Sequence, residues 1–278
     1  MKQLHQLPPE LAHLDGFPGD QLGNEENLAL VTFSLPYKLT LMASKVQGIE
    51  IHEITINPFK MHLGDAILAT HLAKDAKIGA PAAASAVRAM LSRTAVAHAV
   101  FAFESAANCF IARLPRSKGF REKADMWPAF DKFDLYLLTV PRTPKLPRED
   151  PKVKEMTHLI KLRDRHVHPR LGTYPVSRSE TADISINIGA YGTEGLAIPR
   201  LAVAWSADHA VMAINVVLDF LRLFFKLSTV PSAGIRAILS DTVKCKDGLR
   251  QIDTGNFDKV LKLAPSIGVD VGFLLDPS

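Results

Sequence analysis

The sequence predicts a mainly helical fold with a small N-terminal β element, and three observations carry this. Apolar residues recur at helical spacing through most of residues 64–228. Prolines and small polar residues stand where those segments begin and end. Alternation at period two is confined to short stretches near residue 50 and near residue 186.

The β element is expected in residues 28–56, with Leu28–Phe33 as one strand and Ile49–Ile56 as another. In the second, Ile49, Ile51, Ile54 and Ile56 dominate, and the phase slips at His52-Glu53. Gly64–Lys77 reads as a short helix and Pro81–Arg113 as a long alanine-rich one with proline at its start. Trp127–Val140 is a further helix, closed by the three prolines of Pro141–Pro147, which make a stiff connector. Asp150-Pro151 opens the next helix as cap and first helical residue, and Pro169 stops it, so it runs to His168. Residues 172–200 are rich in Gly, Ser and Thr, with Ile184–Ile188 alternating, and predict a β-hairpin insertion before a long helix at 201–227. The tail from Ser228 is weakly patterned, with one more helical turn expected at Lys259–Leu263. The expected division is an N-terminal extension at 1–60, a helical domain at 61–228 and a C-terminal extension at 229–278.

Composition narrows the functional classes. A chain of 278 residues that is 47% hydrophobic can bury a full core. Cys109 and Cys245 stand alone, with neither metal spacing nor a disulfide framework, which fits a reducing cytoplasm. Residues 1–20 mix charges with three prolines and lack the apolar run of a secretory signal. The apolar segment 201–225 is interrupted by Asp208, His209, Asp219 and Arg222 and reads as a buried helix, so no membrane span and no membrane partner are expected.

The formal charge of +4 is unevenly spread. Residues 142–170 hold nine Lys/Arg against four acids, a net of +5, which leaves the rest of the chain near −1. Such a strip suits a polyanion, because neutralised phosphates release counterions, and Lys161, Arg165 and Arg170 are the candidate RNA contacts. A solvated helix face accounts for the charge equally well.

Within the strip, Arg163, Asp164 and His168 stand at fixed spacing where a helix must end. Leu159, Ile160, Arg163 and Val167 share a face, which puts an arginine in an apolar stripe, where its guanidinium needs a partner. Ala97, Phe101, Glu104, Asn108 and Ile111 form a stripe on the earlier helix, and Glu104 and Asn108 are its polar members. An Arg163–Glu104 pair that only fixes helix packing is the plain alternative to a functional site.

The pattern Arg163-Asp164-x-x-x-His168, after an amphipathic helix and before proline, resembles the motif of HEPN-domain proteins. The stretch from Ala95 to Asn108 is similar to that superfamily's second helix, in which an acid and an asparagine recur, and Trp205–Leu227 would be its fourth. The likeness covers roughly residues 64–228. It implies a HEPN-like up-and-down helical bundle and a metal-independent endoribonuclease acting as a homodimer, in a toxin–antitoxin or defence setting with an antitoxin or other regulatory partner.

RNA supplies its own nucleophile, the 2′-hydroxyl, so this chemistry needs a proton-transfer group and a cation for the charge developing on phosphorus. His168, with an ordinary pKa of ~6.5, and the always-charged Arg163 fit those roles. Asp164 would orient one of them or a second copy of the site, and Glu104 and Asn108 would position Arg163. Five residues on a helix turn through about 500°, so Arg163 and His168 diverge by about 140°, and a site composed across a two-fold dimer is expected.

No cofactor and no metal are expected. His158, His166 and His168 splay around the helix end without an acid or cysteine to complete a ligand set. His71, His98 and His209 read as helix histidines with ordinary partners. Gly189–Gly195 lacks the lysine and helix start of a phosphate loop. Two non-enzymatic readings stand beside the nuclease: an RNA- or nucleotide-binding helical module, and a structural interaction protein.

Overall fold

The structure, a computed structural model, describes residues 51–75, 81–140, 143–168, 176–178, 184–186, 195–245, 248–252 and 257–275. Expectations for 28–33, for the N-terminal extension up to residue 50, for Pro169 and Arg170, and for most of the 189–195 loop lie outside these residues. Among the described residues the chain is mainly helical. The element order is β1 (Ile51–Thr55), α1 (Pro58–Asp75), α2 (Pro81–Ala112), α3 (Lys118–Asp125), α4 (Ala129–Thr139), α5 (Pro151–Val167), β2 (Val176–Arg178), β3 (Ile184–Ile186), α6 (Ala207–Ser228), α7 (Ser232–Leu239), β4 (Asp241–Cys245), β5 (Gly248–Ile252), α8 (Phe257–Leu261) and α9 (Gly272–Leu275).

Local chemistry explains most boundaries. The α1 helix starts six residues earlier than its apolar period suggests. Asn57 accepts the Phe59 N–H at 2.9 Å and Pro58 takes the first helical position, so the start signal is a cap rather than a change in pattern. Asn57 is itself buried, and its side-chain amide donates to the Ile238 carbonyl at 3.3 Å. The short α3, which falls between the two helices expected at 81–113 and 127–140, is capped by Ser117, whose hydroxyl accepts the Phe120 N–H at 3.4 Å. Asp150 caps α5 by accepting the Lys152 N–H at 2.9 Å. Ser206 and His209 form a capping box at the start of α6.

The 32-residue α2 is the central element. It is long and apolar enough to cross a membrane by length and composition, but much of it is buried within this fold. Its alanines Ala95, Ala99, Ala102 and Ala106 are fully buried, and Ala66 and Ala69 of α1, the helix in most extensive contact with it, are buried too, while Gly64 of α1 faces Phe257 and Val260 of α8. In its C-terminal half aromatic rings stand among the small residues. Phe103 and Phe110 of α2, Phe133 and Tyr136 of α4, and Phe220 and Phe224 of α6 form one cluster with ring centroids 4.6–6.0 Å apart, mostly tilted or edge-to-face. This cluster joins α2, α4 and α6, while α5 packs mainly on α6 and α2.

Buried Asp134 on α4 ties down the proline connector. Its carboxylate accepts the Leu146 N–H at 2.8 Å and pairs with Arg148 at 2.5 Å, while the Arg148 guanidinium lies 5.1 Å from the Phe130 ring centre. A stretch with several prolines is thus fixed by side chains on a neighbouring helix.

The strand β1 pairs antiparallel with β4, and β4 with β5, in the order β1-β4-β5. Pairing of β1 shifts register between Ile51 and Glu53, the point at which its alternation slips. The β4–β5 hairpin lies in the region whose pattern is too weak to announce strands. Residues after 228, read as an extension, feed Leu261, Ala264, Ile267, Val269 and Val271 into the same core. The pair β2–β3 is antiparallel and precedes α6.

Candidate functional site

The α5 helix buries Val153, Met156, Leu159 and Leu162. Arg163 sits at the edge of that stripe and Val167, expected to continue it, is 42% exposed. The correction follows from geometry. The buried positions repeat every three residues, so the covered face drifts around the helix and leaves Val167 behind.

Arg163 reaches across to α2. Its guanidinium is ion-paired with Glu104, lies 3.4 Å from Asp164 Oδ1, and stands over Phe101 with its central carbon 5.2 Å from the ring centre. The side chain is only 11% exposed, whereas that of Glu104 is 40% exposed. Burial, pairing and ring stacking together hold the planar group in one orientation. Its Nε is buried without a protein acceptor among the described residues.

Asn108 does not join this pair. Its side-chain oxygen accepts from Lys132 of α4 at 2.5 Å, and Lys132 also donates to the Asp125 carbonyl at 2.5 Å. Glu104 and Asn108, four residues apart, therefore serve two cations from two different helices. Burial pulls the Lys132 ammonium below the ordinary lysine range, and the carboxylates of Asp125 and Glu104 oppose that shift. Nothing in the local pattern singles out Lys132, because a lysine on an amphipathic helix ordinarily points to water.

His168 caps the C-terminus of α5 and is exposed. Its backbone N–H donates to the Asp164 carbonyl at 2.9 Å, and its backbone has already left the helical region. Asp164 is exposed, as are Lys161 and Arg165. Lys161 and Arg165 border a shallow basic hollow with His158, Leu162, Leu196, Ile198 and Arg200. On the path of the helix, position 168 follows Lys161 within about 20° and lies about 140° from Arg163, and the φ of −116° at His168 turns its backbone out of that path. The motif is thus divided: its arginine is turned into the bundle, and its histidine is exposed at the helix end.

Gly195 fixes one wall of the hollow. With φ +78° its backbone lies against the His158 ring, where a Cβ would fall 2.2 Å from Nδ1. His166 is half-buried, edge-on to Trp205 at 5.3 Å between ring centres. Burial and the charge of Arg93 lower its pKa.

Two further features stand apart from the motif. A larger open groove of about 530 Å³ is lined by Arg113, Tyr136, Val140, Thr229 and residues of α7, and by none of the motif residues. Beside Phe101, His62 and Asp65 of α1 meet His98 of α2, with His98 Nδ1 3.3 Å from both His62 Nδ1 and Asp65 Oδ2. Sequence reasoning left His98 as an ordinary helix histidine because the expected α1 began at Gly64, which left His62 off the helix carrying Asp65.

No family model, curated protein or solved structure matches the chain.

Proposed function

We propose that this chain is a HEPN-type endoribonuclease that cleaves RNA through the substrate's own 2′-hydroxyl. The observation that carries the reading is the Arg163–Glu104 pair between α5 and α2, with exposed His168 five residues beyond the arginine at the helix end. In the proposed reaction the 2′-oxygen attacks the adjacent phosphorus, the 5′-oxygen leaves, and a 2′,3′-cyclic phosphate remains. His168 exchanges the proton, and Arg163 supplies fixed positive charge near the phosphorane. Asp164, beside the guanidinium, helps to orient it. Lys161, Arg165 and Arg170 bind the RNA backbone.

Because Arg163 faces α2 while His168 lies on another side of α5, the composite site of a two-fold homodimer belongs to the proposal. So do a cytoplasmic location, a toxin or defence setting and a restraining protein partner.

A second reading is favoured by one observation, the burial of Arg163. A guanidinium 11% exposed and held by Glu104 and Phe101 suits a packing role, which would make the chain a structural interaction protein or a non-catalytic RNA-binding module. Incubation of the full chain with total RNA in EDTA, beside His168→Ala, separates the two. Cleavage that leaves cyclic phosphate ends and is lost in the variant supports the nuclease. Binding without cleavage favours the module.

A further inference from the structure

We propose that His62, Asp65 and His98 form a site for a divalent transition metal of the zinc class, with a fourth position open to water or an anionic oxygen ligand. Each of the three residues presents one ligand atom, and these atoms lie within 4.8 Å of one another. Two of the separations, His62 Nδ1 to His98 Nδ1 and His98 Nδ1 to Asp65 Oδ2, are 3.3 Å. Zinc binds imidazole nitrogen and carboxylate oxygen at about 2.0–2.2 Å, so neighbouring ligands of a tetrahedral ion stand about 3.3–3.6 Å apart. Both separations match that edge.

Hydrogen bonding alone accounts for the cluster less well. His98 Nδ1 faces a second ring nitrogen and a carboxylate oxygen at equal distances. A ring nitrogen offers one hydrogen or one lone pair in its plane, so it cannot fully serve both neighbours. A cation among the three atoms is attracted to every one of them.

The framework holds the set in place. His62 and Asp65 are three residues apart on α1 and so share a face, and the tightly packed α1–α2 seam fixes His98 opposite them. Phe101 covers one side, its ring centre 5.5 Å from His62 and 5.9 Å from His98. The other side is accessible, since the side chains of His98 and Asp65 are 27% and 31% exposed. Two imidazoles and one carboxylate with an open position suit zinc and related ions better than magnesium or calcium, which prefer all-oxygen ligands. The inference does not rest on the nuclease reading, and it is tested without RNA.

Metal-free full-length protein is titrated with cobalt(II) as a spectroscopic stand-in, then with zinc. The expected result is one cobalt per chain with the intense visible bands of four-coordination, displaced by one equivalent of zinc, and shifted by added phosphate. His98→Gln and Asp65→Asn should each weaken binding by at least about 100-fold, beyond the 10–100-fold usual for a residue that only supports a ligand. His71→Gln, which removes a histidine paired with Asp75 on the same helix, should bind as the parent does. The weak spectrum of six-coordinate cobalt, or unchanged affinity in both ligand variants, would overturn the site. Bands unmoved by phosphate would overturn the open position. Should the variants not fold, X-ray absorption on the zinc-loaded parent decides: two imidazoles in the metal's shell are expected, and a shell without them refutes the proposal.

Discussion

Arg163 on α5 pairs with Glu104 on α2 and stands over the Phe101 ring, which also packs against His62 and His98, so a single aromatic side chain touches both the arginine and the histidine cluster. Because Phe101 touches both groups, its replacement should loosen both. Arg163→Lys is the sharper probe of the pair, since lysine keeps the charge but loses the planar fork and its stacking. We expect a loss of about 1–3 kcal/mol by denaturant unfolding, less than the 3–5 kcal/mol of breaking a fully buried pair because Glu104 is well solvated. RNA cleavage should fall to a small fraction of the parent's. An active and stable lysine variant would mean that diffuse positive charge suffices.

His168 and His166 should separate in their effects. His168 is exposed and outside the core, so His168→Ala should unfold at nearly the parent temperature while RNA cleavage disappears. His166→Ala removes an edge-on contact with Trp205, so it should lose some stability and retain most cleavage. Equal loss of activity in two folded variants would remove His168 from its assigned role.

The sequence carried this pairing because both partners break a pattern. An arginine beside an apolar stripe and a glutamate on a mostly apolar helix each demand compensation, and the proline stop fixes where His168 stands. Asn108 was misassigned because helical spacing reports which residues share a face but not which helix covers it. Lys132 comes from α4, whose placement depends on the buried aromatic cluster. The missed starts have a similar cause: Asn57 and Ser117 act as caps, through side-chain hydrogen bonds that leave no periodic trace. The β4–β5 hairpin is a local pairing, Cys245 opposite Gly248, whose short strands alternate too weakly to be read, whereas the pairing of β4 with β1, about 190 residues away, is not a local signal at all. The His62–Asp65–His98 cluster depends on the same long-range information, because α1 and α2 must pack before the three side chains meet.

His166 provides a test by pH. Its native pKa lies below the ordinary ~6.5, so as pH falls the unfolded chain takes up the proton first and the native state loses relative stability. His209 adds to the same trend, since burial lowers its pKa against the opposing charge of Asp208. Stability should therefore decline as pH falls through about 6.5. His166→Phe keeps a ring against Trp205 and removes the titration, so its pH profile between about 5 and 7 should be flatter than the parent's. Parallel profiles in thermal melts would show that His166 does not contribute.

Gly195 should tolerate no side chain. Gly195→Ala places a Cβ in the His158 ring and forces a left-handed backbone on alanine, at a combined cost of about 1–3 kcal/mol. His158→Ala in the same chain removes the collision but not the backbone strain. The double variant should therefore recover part of the loss, a positive coupling readable in a double-mutant cycle. Additive losses would show that contact with His158 is not what excludes the side chain.

The last expectation concerns association. If Arg163 and His168 act on one phosphate while lying on different sides of α5, two copies must contribute, and a two-fold axis near the α5 ends supplies the simplest arrangement. Each copy brings the +5 of residues 142–170, so charge opposes the approach and an apolar contact must hold it. Val167, 42% exposed between His166 and His168, is the residue placed to make that contact. The dimer should tighten as salt rises toward about 0.5 M, because screening weakens repulsion and leaves apolar burial largely intact. Val167→Lys should shift the chain toward monomer and lower cleavage in proportion, even though it adds positive charge that RNA binding alone would welcome. Sedimentation and cleavage measured on the same samples across ionic strength provide the check. A chain that is monomeric at micromolar concentration and cleaves at full rate would rule out the composite site and require Arg163 and His168 of one copy to converge.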